Sequence, residues 1–137
     1  MNACYGDTSY FLALLVPGDA NHEAAQRIAL TLNRPIITSD FIIIEVGNFL
    51  SGVSARQRFT TFIHALRQDQ QTSIVPASNK LVIAGIELYL HRPDKAWSLT
   101  DCISFEIMRE HGIHDALTAD KHFEQAGFGV MLKPNVK

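Results

Sequence analysis

The chain has 137 residues, 12 Lys+Arg against 14 Asp+Glu for a net charge of −2, 47% hydrophobic and 19% charged residues. That length suits one domain, spanning 1–137, whose core covers about two-thirds of the unfolded surface, and that composition excludes a disordered or collagen-like chain. Two cysteines without a C-x-x-C pair, and apolar runs all shorter than a membrane span, exclude a disulfide scaffold and a spanning helix, while the near-neutral charge gives no global field for nucleic acid.

In chain order, residues 2–7 read as a first strand, weakened by Tyr5-Gly6, and an apolar helix follows over 10–16. A helix is expected over 22–32, with Ala24, Ala25, Ile28, Ala29 and Leu32 on one face and Asn21 as N-cap. Residues 35–38 have strand length. The apolar stretch 41–50 has three consecutive isoleucines that favour a strand, but Ser39 or Asp40 as a cap predicts a helix. Helices follow over 56–67, with Phe59, Phe62, Ile63 and Leu66 together, and over 81–90 behind a Ser78 cap. Strands are expected over 73–75, 115–118 and 129–132, and an amphipathic helix over 98–111 that stops at Gly112. Short strands alternating with helices predict an α/β fold around a mainly parallel sheet. The first ten residues hold no basic stretch leading into an apolar one, so a cytoplasmic protein is expected.

In such a sheet, ligands bind beyond the carboxyl ends of the strands. Asp7 ends the first strand, Asp120 follows a later one, Asp101 lies in the first turn of the helix from Ser98, and Glu45 interrupts the most apolar stretch. Each acid also has a purely structural role open to it. Asp7-Thr8-Ser9 suits a helix cap, Ser98-Leu99-Thr100-Asp101 has the S-x-x-D form of a capping box, and Asp120 suits a cap for the short helix ending near Ala126. Glu45 has a route to solvent from the polar side of its helix. Taken together the acids ask for a cation. Two unit charges at 4 Å interact by about 4 kcal/mol at an effective dielectric near 20, so converging carboxylates need neutralising. An all-oxygen set selects Mg²⁺ or Mn²⁺ over Zn²⁺, and such ions activate water and stabilise the oxygens of a phosphodiester.

These residues resemble a known family. Asp7-Thr8-Ser9 with the apolar 10–15 resembles the opening of a PIN domain, and His22 and Ala25 fit its next helix. Glu45 within 41–50 is similar to the second acidic position, and Ser98-Leu99-Thr100-Asp101 to the third. The stretch from Leu117 to Phe123, followed by Ala126-Gly127-Phe128, resembles the fourth acid and closing helix, so the likeness runs from Asp7 to Leu132. One departure is a first strand less apolar than the family's, at residues 2–6.

The resemblance implies a three-layer αβα sandwich with a central, mainly parallel five-stranded sheet. It implies a Mg²⁺- or Mn²⁺-dependent ribonuclease cutting single-stranded or loop RNA, similar to the toxin half of VapC-type toxin–antitoxin pairs. Such toxins pair as homodimers and are restrained by a small antitoxin. Asp7 and Asp101 would be the main metal ligands, Asp120 and Glu45 would complete the cluster, and Thr8 and Thr118 would orient carboxylates or waters. Arg56, Arg58, Arg67, Arg92, Lys95 and Lys121 are candidates for phosphate contacts or solvated surface, and Tyr89 and Trp97 for base stacking, sealing a dimer or packing. Two other readings stay open: a regulatory module whose acidic pocket holds an arginine-bearing partner, and a housekeeping RNA-processing nuclease. An aspartate-nucleophile phosphatase would need a second Asp where Ser9 stands.

Overall fold

A computed structural model describes residues 2–133; Met1 and residues 134–137, the two ends of the expected 1–137 domain, lie outside the described residues. The elements run β1 (Cys4–Gly6), α1 (Thr8–Leu15), α2 (His22–Thr31), β2 (Ile36–Ser39), α3 (Asp40–Phe49), α4 (Arg56–Gln68), β3 (Thr72–Val75), α5 (Asn79–His91), α6 (Leu99–Glu110), β4 (Asp115–Leu117), α7 (Lys121–Gln125) and β5 (Gly129–Val130). All five strands are parallel, in the order β3-β2-β1-β4-β5.

That order makes β1 the turning point of the fold. The chain steps from β1 outward to β2 and β3, then returns to the other side of β1 for β4 and β5. Right-handed crossovers then put α1 to α4 on one face and α5 to α7 on the other. The packing agrees, with α1 against α2 and α3, α3 against α4, and α6 against α5 and α7. A crevice opens beyond the carboxyl ends of β1 and β4, where the direction of winding reverses.

The first strand is short but regular. Cys4, Tyr5 and Gly6 are fully buried, paired with β2 and β4, and Tyr5 carries its hydroxyl inside by bonding Ser104 Oγ at 2.8 Å. The weaker apolar character of this segment is therefore satisfied by a partner on α6. Segment 41–50 is a helix, as the cap residues predict: Ser39 Oγ accepts from the Ile42 N–H, which starts α3 one residue after β2 ends. Asn21 precedes α2 without capping it through its side chain, and the Asp19 carboxylate accepts the Asn21 N–H instead.

The core extends through α6, whose residues Asp101 to Phe105, Ile107 and Met108 are all buried. Phe105 meets Trp97 and Phe123 edge-on, at centroid distances of 5.0 and 4.9 Å, and so ties α6 to α7. Each such pair contributes about 0.5–1.5 kcal/mol beyond its buried area. Helices α5 and α6 approach closely at Gly85, where an added Cβ would collide with the Ile103 side chain and press on its backbone N and Cα at 3.3 Å. Gly85→Ala should therefore lower stability by about 1–3 kcal/mol despite alanine's better helix propensity. Thermal melting checks this; an unchanged or higher Tm would show that the interface yields.

Candidate active site

β1 delivers Asp7 to the crevice. The residue is 5% exposed, and its carboxylate does not cap α1. The helix-cap reading of Asp7 is thus corrected: its Oδ2 accepts from Thr118 Oγ1 at 2.7 Å and Ser9 Oγ at 3.2 Å, partners across the switch point and two residues on. The Thr118 and Ser9 hydroxyls lie 2.9 Å apart. The N–H of Asp120 donates to Thr118 Oγ1 at 3.0 Å and that of Ala119 to Ser9 Oγ at 3.2 Å. With a lone pair facing the Asp120 N–H, Thr118 turns its single proton to Asp7. Burial pushes the Asp7 carboxyl up to about 7, against the Thr118 hydrogen bond, and the charges of Asp101 and Glu45 push the same way.

Glu45 reaches the crevice from α3. It is half-buried, and its Oε1 accepts from the Thr8 hydroxyl at the first residue of α1. Thr8 and Thr118 therefore each hold one carboxylate, Glu45 and Asp7 respectively.

Asp101 and Asp120 come from α6 and from the N-cap of α7. Ser98 Oγ accepts from the Asp101 N–H at 3.0 Å while Asp101 Oδ2 accepts from the Ser98 N–H at 3.1 Å, a complete capping box. Asp120 Oδ1 accepts from the His122 N–H at 2.9 Å and caps α7. Both caps exist, as the structural reading expects, and both carboxylates still face the cluster. Desolvation raises the Asp101 carboxyl, the Ser98 and His122 hydrogen bonds lower it, and the Asp120 charge raises it further.

His122 was not among the residues singled out in the sequence. Its Nδ1 lies 3.0 Å from Asp101 Oδ2 and 3.4 Å from Asp120 Oδ1. The available signal was local: an Asp-x-His spacing at a helix start puts both side chains on one turn.

Other polar and aromatic side chains stand apart from the cluster. Trp97 is buried against Phe105 and donates to Gln125 Oε1, so it packs and does not offer a stacking face. Cys102 is buried, in keeping with helix packing. His111 and His114 bond different partners, the Ile107 carbonyl and the Asp115 carboxylate. Arg92 is held by Asp94, and Arg56 by the Ser51 carbonyl.

The donor set fits a divalent cation. Asp7 is a buried carboxyl whose charged neighbours are other carboxylates. Among the described residues, the Arg–carboxylate pairs Arg34–Asp115, Arg92–Asp94 and Arg109–Glu106 lie away from the cluster. Asp101, Asp120 and His122 each place a polar side-chain atom within 4.8 Å of the others. A cation there would offset the mutual repulsion of these carboxylates.

Comparison with known proteins agrees with the geometry. The 23S rRNA-specific endonuclease VapC20 of Mycobacterium tuberculosis is 28% identical over 128 residues, which cover 93% of this chain and 96% of that protein. The crystal structure of M. tuberculosis VapC20, described as a sarcin–ricin loop cleaving toxin, aligns with a TM-score of 0.84 at 26% identity, over 91% of this chain and 95% of that one. FitAcB from Neisseria gonorrhoeae shares the fold at a TM-score of 0.66 and 16% identity, covering 93% of this chain and 96% of that one. Residues 4–129 match the PIN domain, and with four acids gathered at the switch point of an all-parallel sheet, the chain belongs to the PIN domain family.

Proposed function

We propose that the chain is a Mg²⁺- or Mn²⁺-dependent endoribonuclease and the toxin of a toxin–antitoxin pair, acting in the cytoplasm. The observation that carries the reading is the convergence of Asp7, Glu45, Asp101 and Asp120, with no Arg or Lys partner among the described residues, in a fold similar to that of VapC20. In this reading Asp7 and Asp101 are the main ligands, with Asp120 and Glu45 completing the set. A bound divalent ion supplies Lewis acidity and lowers the pKa of water near a phosphodiester. Thr118 and Thr8 hold the Asp7 and Glu45 carboxylates in orientation, and the capping box fixes Asp101 on a rigid helix end. The oxygens face one crevice, where they would hold the ion beside an RNA phosphate.

The sarcin–ricin loop named for VapC20 makes that loop of 23S rRNA the first substrate to try. A small antitoxin fits as partner because the acidic crevice attracts a basic side chain. Half-exposed Ile83, Ile86, Tyr89 and Leu90 along α5 support pairing of two copies. No helix among the described residues is long and apolar enough to cross a membrane.

The test incubates purified protein with ribosomal RNA and Mg²⁺ or Mn²⁺, with and without excess EDTA, and maps the cuts. Expected are discrete cuts in loop RNA that chelation stops, together with growth arrest on expression that Asp7→Asn relieves. Cleavage undiminished by EDTA would remove the metal mechanism. No cleavage in any metal, with normal growth, would favour the regulatory module that holds an arginine-bearing partner.

A further inference from the structure

His122 is the one member of the cluster that is not an acid, and its surroundings define what it does. The two oxygens nearest its Nδ1 are already acceptors. Asp101 Oδ2, at 3.0 Å, takes the Ser98 N–H, and Asp120 Oδ1, at 3.4 Å, takes the N–H of His122 itself. An ionised carboxylate is acceptor-only, so in the metal-loaded site both oxygens would present lone pairs to any further neighbour. The proton of the imidazole therefore belongs on Nδ1, which donates to Asp101 Oδ2 and faces Asp120 Oδ1 as a second, longer acceptor. A nitrogen that carries this proton has no lone pair for a metal ion.

We propose that His122 is a positioning residue of the metal centre: through Nδ1–H it clamps Asp101 Oδ2 next to Asp120 Oδ1, so that Asp101 meets a cation through Oδ1. Among the described residues, two N–H groups converge on Oδ2 and no hydrogen bond to Oδ1 is seen, which divides the carboxylate into a held oxygen and a presented one. The clamp also brings carboxylates from two different helices together through a donor, where direct contact would be repulsive. His122 is placed for this by the Asp120 cap and by Phe123, which is fully buried against Phe105. The inference rests on the metal-nuclease reading for its purpose, but its geometry concerns metal binding alone.

The experiment compares wild type with His122→Ala, His122→Asn and His122→Gln in metal-free full-length protein, reading Mn²⁺ affinity by calorimetry and by the free Mn²⁺ EPR signal. Asparagine's side-chain N–H falls where Nδ1–H was, whereas glutamine's falls nearer Nε2. His122→Ala should weaken Mn²⁺ binding by about 10–100-fold, His122→Asn should recover to within about threefold of wild type, and His122→Gln should not recover. Pulsed EPR of bound Mn²⁺ should show no imidazole nitrogen coupling that is lost in His122→Ala. At saturating Mn²⁺ the His122→Ala enzyme should regain most of kcat with KM for RNA unchanged. Wild-type affinity in His122→Ala would overturn the proposal, as would an imidazole coupling in wild type, which would make His122 a direct ligand. Loss of affinity that tracks a lowered metal-free Tm, without rescue by asparagine, would reduce it to a folding role and overturn it equally. His122-dependent Mn²⁺ binding in a protein that cuts no RNA would uphold the clamp and reject the nuclease reading. Absence of Mn²⁺ binding in wild type would reject both.

Discussion

Metal-free protein should melt at progressively lower temperature as the pH is raised from about 4 to about 7, and Asp7→Asn should remove most of that slope. The cause is the Asp7 carboxyl, raised from 3.8 to about 7 by burial and by the charges of Asp101 and Glu45. A carboxyl raised in the folded state binds its proton more tightly there than in the unfolded chain. Its stabilisation is complete below its unfolded value near pH 4 and is lost as the pH rises through about 7. About 3 pKa units correspond to roughly 4 kcal/mol, an upper bound that for a domain of this size means a fall in Tm on the order of 10 °C. Above pH 7 Asp7→Asn should therefore be more stable than wild type without metal, because the amide oxygen still accepts from Thr118 and Ser9 and carries no charge. Mg²⁺ or Mn²⁺ should reverse the order, since only the wild type offers the carboxylate and native-state binding stabilises by linkage. Cleavage by Asp7→Asn should fall at least about a hundredfold. Differential scanning calorimetry across pH, with and without metal, reads all of this. A wild-type Tm that is flat or rises through pH 7 in EDTA would show that Asp7 is not held protonated.

The architecture was legible because its signals are local. Ser39 and Ser78 as caps, Gly112 as a stop and the apolar faces of α2 and α4 each fix an element without reference to the rest of the chain. The capping box at Ser98–Asp101 was equally plain, as was the placing of Asp120 at a helix start. What sequence could not supply was pairing across the sheet. Asp7 looks like a cap until Thr118, 111 residues away, is seen donating to it. Tyr5-Gly6 looks like a poor strand until Ser104 on α6 takes the Tyr5 hydroxyl and the Phe11 ring fills the space above Gly6. His122 looked like one of six dispersed histidines until α6 and α7 brought it against Asp101. Trp97, a candidate for stacking a base, turned out to be tied to Gln125 and packed edge-on to Phe105. Each correction comes from a contact between elements distant in the chain, where residue type alone leaves several partners open.

Asp101 is where the capping and catalytic roles meet in one carboxylate, and paired substitutions separate them. Ser98→Ala removes the acceptor for the Asp101 N–H but leaves the Ser98 N–H donating to Asp101 Oδ2. It should cost roughly 0.5–2 kcal/mol of stability, as loss of a helix cap does, and leave cleavage at saturating metal near wild type. Asp101→Asn should act the other way. The Ser98 N–H and the His122 Nδ1–H both point at Oδ2, so the amide must turn its oxygen to them and its NH₂ to the position of Oδ1. The cap survives in that orientation, and removing a buried carboxyl whose pKa is raised by desolvation also removes a source of strain on the fold. Metal-free Asp101→Asn should thus melt at or above wild type at neutral pH. Its NH₂ cannot ligate a cation, however, and cleavage should drop at least about a hundredfold, with excess Mn²⁺ giving little rescue. The same logic orders the variants by metal response: Ser98→Ala gains as much thermal stability from Mn²⁺ as wild type, and Asp101→Asn gains far less. Melting curves with and without Mn²⁺, taken beside single-turnover cleavage, decide between the roles. An Asp101→Asn protein that is clearly destabilised yet fully active would leave this carboxylate as a cap and nothing more.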